Sequence, residues 1–165
     1  MANLIAITRQ VSPAINQCEL THLERQPIDV QRAQAQHRKY EEALRSLGVE
    51  ILSLPPLPDL PDSVFVEDAA IVLDECAIIT RPGADSRKPE TELIAQALAP
   101  YRQLFHVQPP ATVDGGDVLT VGKTLFVGIS SRSNLDAINQ MRAILVPFGY
   151  DVQEVEVTGC LHLKT

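Results

Sequence analysis

One order of segments recurs along this chain: an apolar strand, a tight reversal, a second strand, a polar stretch, a helix and a further strand. In the middle of the sequence, Val64 to Leu73 and Ala77 to Thr80 are apolar runs separated by Asp74-Glu75-Cys76, a hairpin by spacing. A polar segment, Arg81 to Lys88, precedes a predicted helix over Pro89 to Ala99, with Pro89 suited to its first turn. Gln103 to Val107 then resumes a strand. The order repeats in the last third, where Asp117 to Val121 and Thr124 to Val127 flank the turn Gly122-Lys123. Leu135, Ile138, Met141 and Leu145 follow at helical spacing, Gly149 ends the helix, and Asp151 to Val157 reads as a strand. The first third carries a looser version. Ala2 to Thr8 is a strand, Asp29 an N-cap, Ala33, Ala35, Tyr40, Ala43, Leu44 and Leu47 an amphipathic helix, Gly48 its stop, and Val49 to Leu54 a strand. A period of about fifty residues lies in the range of repeat architectures.

Charged residues repeat along with the elements. Each clear hairpin is preceded by acids, Glu67-Asp68 and then Asp114 and Asp117, and followed by an arginine, Arg87 and then Arg132. Such residues also serve as helix caps and surface charges, so repetition alone leaves both readings open. At 165 residues the chain suits one domain. Its net charge of −7 argues against nucleic acid and is compatible with a small cationic ligand. No apolar run is long enough to span a bilayer. The N-terminus lacks the basic and apolar stretches of a signal peptide, and Cys18, Cys76 and Cys160 form no disulfide or metal pattern, so a cytoplasmic protein with reduced thiols is expected.

Three places invite chemistry. Glu67 and Asp68 interrupt an apolar run read as a strand, where adjacent side chains point to opposite faces; one could bind ligand while the other holds the scaffold. Buried carboxylates there need a cation, which could equally be Arg81 or Arg87 in a structural ion pair. Asp114-Gly115-Gly116-Asp117 brackets two glycines that permit close approach of a ligand, although a plain turn has a similar composition. It lacks the regular oxygen ligands of an EF-hand calcium loop. His162 and Cys160 fall on one face of a predicted strand, roughly 7 Å apart by strand rise. That spacing suggests a Cys-His pair or a metal site, though a buried Cys is more often a small hydrophobe.

Taken in order, these motifs resemble a known family. Leu60-Pro61-Asp62-Ser63-Val64-Phe65-Val66-Glu67-Asp68, Ile79 to Arg87, Asp114-Gly115-Gly116-Asp117-Val118-Leu119, Ser130-Ser131-Arg132-Ser133-Asn134 and Gly159-Cys160-Leu161-His162-Leu163-Lys164 follow one another as in dimethylarginine dimethylaminohydrolases. The Phe-Val-Glu-Asp and His-Leu-Lys versions resemble that branch more than the related arginine deiminases and amidinotransferases. The resemblance implies an α/β fold of the pentein type, a propeller of strand-strand-helix-strand units. The chain would hold about three of the five, over residues 1–57, 58–110 and 111–158, plus the first strand of a fourth from 159. It also implies hydrolysis of N-methylated arginine to citrulline and methylamines, without metal or cofactor. Asp62, Glu67 and Asp68 would be substrate-binding acids, Arg87 and Arg132 partners of the substrate carboxylate, and Leu20 part of a mobile flap. His162 would be the acid/base, oriented by Asp114. The family's nucleophilic cysteine would lie beyond His162, since a closed ring needs roughly 250 residues at this period. The chain alone is therefore expected to be inactive, or to be a module that binds guanidino compounds without turnover. Open strand edges would favour pairing with a further segment or a second copy.

Overall fold

The computed structural model describes residues 4–21 and 23–164, and the chain divides into two compact units, Met1–Val66 and Glu67–Thr165. In the first, strands β1 (Ile5–Arg9) and β2 (Glu50–Leu54) pair in parallel, with Ile7 opposite Leu52, and helix α1 (Val30–Ser46) makes the crossover. Asp29 caps α1 as expected, its carboxylate accepting the Arg32 N–H at 3.0 Å. The chain leaves the helix through Gly48 at φ 82°, a conformation that disfavours a side chain.

The inward face of α1 differs from the apolar stripe expected. Tyr40 and Leu47 are 55% and 79% exposed, whereas Glu41 is buried. Ala33, His37, Glu41 and Leu44 line the covered side at helical spacing. The Glu41 carboxylate is satisfied there by the hydroxyls of Thr8 at 2.6 Å and Ser53 at 2.7 Å, one from each strand, and by Arg45 at 3.3 Å. Burial pushes its carboxyl upward, but these donors outweigh burial and hold it below its ordinary range.

The second unit contains the same topology twice. Strand β3 (Ala70–Val72) pairs antiparallel with β4 (Cys76–Ile79), which pairs in parallel with β5 (Gln103–His106) across helix α2 (Glu90–Leu98). Strand β6 (Val118–Val121) pairs antiparallel with β7 (Thr124–Ile129), which pairs in parallel with β8 (Asp151–Glu156) across helix α3 (Leu135–Leu145). Ile78, Leu125, Val127, Ile138, Met141 and Leu145 are fully buried in one cluster fed by both repeats. Each sheet alone leaves an apolar face exposed; the shared cluster covers both.

Two expectations about strands need correction. The run around Glu67 and Asp68 does not form a strand; Val66–Ala69 is a short 3-10 turn, and β3 begins only at Ala70. Thr80 explains this locally, since its hydroxyl holds the Asp68 carbonyl at 2.6 Å and its N–H holds the Ala69 carbonyl at 3.1 Å. Residues 159–164, expected to open a fourth unit as a strand, lie in bends and a turn. No helix among the described residues is long and apolar enough to cross a membrane.

Candidate active site

The repeated topology brings two equivalent turns together at the start of each hairpin. One is Val66–Ala69, carrying Glu67 and Asp68; the other is Gly115–Asp117. The Gly116 N–H donates to Asp68 Oδ1 at 2.9 Å, so the second turn sits directly on the first carboxylate. A Cβ on Gly115 would lie 1.9 Å from the Glu67 carbonyl oxygen, and one on Gly116 would lie 2.8 Å from the His162 ring. The two glycines are needed because backbone meets backbone on one side and an imidazole on the other.

His162 stands at the centre of three buried carboxylates. Its Nδ1 faces Asp117 Oδ1 at 3.5 Å and its Nε2 faces Asp68 Oδ1 at 3.9 Å. One ligand atom from each of Asp68, Asp114 and His162 lies within 4.8 Å of the others, so these groups converge on a space that suits a cationic group. Burial pulls the His162 imidazole toward neutrality, but Asp117, Asp68 and Asp114 outweigh burial and raise its pKa above the ordinary value. Asp117 is itself desolvated, yet donors from His162, Ser133, Ser130 and Leu163 keep its carboxyl below the ordinary range. Asp114 behaves oppositely. Burial dominates and raises its pKa; Oδ1 accepts the Gly83 N–H at 3.0 Å, while Oδ2 is buried with no hydrogen-bond partner among the described residues.

Asp114, expected behind His162, shares that surrounding with Asp117, its neighbour in the same motif. The acids of Glu67-Asp68 also separate in role: Asp68 is buried, whereas the Glu67 side chain is largely exposed and meets Lys164 Nζ at 2.5 Å. Arg87, expected to grip a substrate carboxylate, is 5% exposed and spans Asp68 Oδ2 at 2.7 Å and Glu90 Oε2 at 2.9 Å. Burial works against its charge, but Glu90 and Asp68 outweigh burial and raise its pKa. Arg87 thus forms the structural ion pair with Asp68 that the sequence left open. Glu90 escaped the sequence reading because its only signal was an ordinary acid at a helix start. Arg132 is partly exposed on a loop whose backbone packs against Gly83, where a Cβ would come within 2.6 Å.

The remaining expected residues belong to the first unit. The Asp62 carboxylate is buried and accepts the Glu19 N–H at 3.2 and 3.0 Å, pinning the loop on which Leu20 is 40% exposed. Arg25 fastens the same loop through the carbonyls of Asn16 and Cys18. A cavity of about 420 Å³ in this unit, lined by Gln10, His37, Glu41, Arg45 and Ser53, holds none of the expected site residues. Of the cysteines, Cys76 lies in the core of β4, where burial raises its thiol pKa, and the Cys160 thiol donates to the His162 carbonyl at 3.4 Å rather than to the ring. The Cys160–His162 pair expected on a strand face is not formed, because that segment turns.

Comparison with known proteins identifies the family. The family described as N,N dimethylarginine dimethylhydrolase, eukaryotic, matches residues 5–162. The chain is 44% identical over 161 residues to the N(G),N(G)-dimethylarginine dimethylaminohydrolase of Streptomyces coelicolor, covering 97% of this chain and 62% of that protein. Identity to the Pseudomonas aeruginosa enzyme of the same name is 42% over 139 residues, 83% of this chain and 55% of that one. A solved structure of dimethylarginine dimethylaminohydrolase from Pseudomonas aeruginosa, a cysteine-to-serine variant complexed with citrulline, superposes with a TM-score of 0.95 at 37% identity, over 100% of this chain and 65% of that one. A cyanobacterial arginine dihydrolase shares the fold at 18% identity and a TM-score of 0.72. The chain therefore spans between 55% and 65% of the length of these close relatives. With its repeated strand-strand-helix-strand units and the match over residues 5–162, this chain has the pentein fold and belongs to the dimethylarginine dimethylaminohydrolase family.

Proposed function

We propose that this chain provides the guanidinium-binding and acid/base part of a hydrolase that converts N-methylated arginine to citrulline and a methylamine. The observation that carries the reading is the convergence of Asp68 and Asp114 on His162, inside a family whose named members act on dimethylarginine. A guanidinium is planar and permanently charged, and carboxylates accepting paired hydrogen bonds are its natural partners. Asp68, with Glu67 at the exposed edge, holds it, and the buried Oδ2 of Asp114 offers an acceptor with no competing donor among the described residues. Arg132 meets the carboxylate at the other end of the substrate, while Arg87 holds Asp68 Oδ2 in place.

In the reaction, a cysteine thiolate attacks the guanidinium carbon, the C–N bond to the methylated nitrogen breaks, and His162 as imidazolium protonates the leaving amine. Water activated by the neutral imidazole then displaces the thiolate, giving citrulline. The thiols of Cys76 and Cys160 are committed to the core and to a backbone carbonyl, which supports a nucleophile supplied by chain outside these 165 residues. Pairing with such a segment, or with a second copy, belongs to the same proposal.

Isothermal calorimetry with asymmetric dimethylarginine tests the binding half. A heat of binding that disappears in Asp68→Asn is expected, and no heat with the native chain would remove the reading. A citrulline assay tests the rest. The chain alone should give no product, and turnover abolished by Cys160→Ala would make Cys160 the nucleophile instead.

A further inference from the structure

Asp117 is completely buried, and its hydrogen bonds lead to the loop that carries Arg132. Its Oδ2 accepts two hydroxyls, from Ser130 at 2.7 Å and from Ser133 at 2.6 Å. A hydroxyl has one proton to give and two lone pairs with which to accept, and Ser130 uses all three. It gives its proton to Asp117 and accepts the N–H groups of Arg132 at 3.0 Å and Ser133 at 3.2 Å. A main-chain amide can only donate, so the direction of each bond is settled. Ser133 repeats the pattern, donating to Asp117 and accepting the Asp114 N–H at 3.1 Å. The Ser130 N–H closes the turn on the Ser133 carbonyl at 3.0 Å. On its other side the Arg132 backbone lies against Gly83, where a Cβ would come within 2.6 Å of the Arg132 Cα and carbonyl oxygen. Gly83 is itself held, its N–H donating to Asp114 Oδ1 at 3.0 Å.

We infer that Asp117 and Ser130 are positioning residues for Arg132: together they fix its backbone for the grip on a ligand carboxylate, and so make that carboxylate a condition of tight binding. An arginine on a mobile loop loses backbone freedom when it grips an anion, and that ordering cost weakens binding. Here the main chain at Arg132 is fixed before a ligand arrives, by the Ser130 hydroxyl on one side and Gly83 on the other. Removing the hydroxyl orphans two amides and loosens only the carboxylate end. Asp68 and Asp114, at the guanidinium end, keep Arg87 and the Gly83 N–H. The inference rests on the proposed role of Arg132 toward the substrate carboxylate, and its test separates the two.

The experiment is calorimetry of the 165-residue chain with two ligands, asymmetric dimethylarginine and its decarboxylated analogue, dimethylagmatine. The native chain should prefer the first, and Arg132→Ala should abolish the preference. Ser130→Ala should weaken dimethylarginine binding roughly tenfold, the scale of one hydrogen bond to a charged group, and leave dimethylagmatine binding unchanged. An equal loss for both ligands, the mark of a general structural defect, overturns the inference. If Ser130→Ala does not fold, Ser130→Cys takes its place, since a thiol of similar shape is a poor acceptor, and the same two outcomes decide. A preference that Arg132→Ala abolishes and the Ser130 variant retains removes this inference alone. A native chain that binds both ligands equally, or neither, removes it together with the role of Arg132.

Discussion

At Gly115 and Gly116 the reason for glycine is distance, because neither adopts positive φ. A side chain at Gly115 would meet a backbone carbonyl, which cannot rotate away as a flexible side chain would. Gly115→Ala should therefore destabilise by about 3 kcal/mol, the upper range for overpacking, in urea unfolding. Gly122→Ala offers the contrast: the hairpin turn at φ 59° has no atom within reach, so only the backbone conformation is strained, at about 1 kcal/mol. Equal losses for the two would contradict the close-approach explanation. The ion pair of Arg87 belongs to this scale as well. Truncating it leaves Asp68 and Glu90 buried without a cation, so Arg87→Ala should lose about 3–5 kcal/mol of stability. A variant of native stability that only weakened ligand binding would restore Arg87 to the substrate carboxylate.

The side chain of Asn134 ties the start of helix α3 to the loop between β5 and β6. Asn134 Oδ1 accepts the Ala137 N–H at 3.1 Å as an N-cap and the Thr112 N–H at 3.1 Å from the preceding loop. Thermal or urea denaturation of Asn134→Ala should show a loss of about 2 kcal/mol, a cap plus an orphaned amide. At this scale the elements were largely legible beforehand. Gly122-Lys123, the spacing of Leu135 to Leu145, and Asp29 before α1 each mark structure by local chemistry that neighbours do not override. The exceptions have local causes too. Val66–Ala69 is apolar enough to read as a strand, but Thr80 draws its carbonyls into a turn. Helix α1 turns Glu41 inward because Thr8 and Ser53, more than thirty and about a dozen positions away in the chain, supply hydroxyls.

Over the whole chain, buried charges set the response to pH. Glu41 and Asp117 have lowered carboxyl pKa values, so the stability they contribute is present above their ordinary values and is lost as pH falls through the folded ones. His162 has a raised pKa, so its contribution is complete below its ordinary 6.5 and fades as pH climbs through the folded value. Asp114 adds to the alkaline side, since its raised pKa favours the protonated acid. Melting temperature against pH should therefore pass through a maximum in the weakly acidic range, and Asp117→Asn should flatten both limbs. The sheets make a second prediction. Strands β4 and β7 each have an antiparallel partner on the side away from their parallel neighbour, whereas β1 has only β2 among the described residues. Its outward backbone groups, at Ile5 and Ile7, are positioned to template another strand. Sedimentation should show concentration-dependent self-association that Ile7→Pro reduces.

The sequence by itself determined the repeat, the order of its elements and the residue types at the site, because hydrophobic period, caps and turn glycines act over a few positions. Tertiary structure decided which of several near-equivalent charged groups meet one another. Asp114 and Asp117 differ by three positions, and nothing local says how they lie about the imidazole. The path of residues 159–164 does, by bringing Leu163 N–H and His162 Nδ1 to the same oxygen of Asp117. Arg87 likewise meets two carboxylates because α2 delivers Glu90 beside it and the first turn delivers Asp68. Pairing of buried charges is fixed by distances of a few ångströms between segments far apart in the chain, and periodicity carries no information about those.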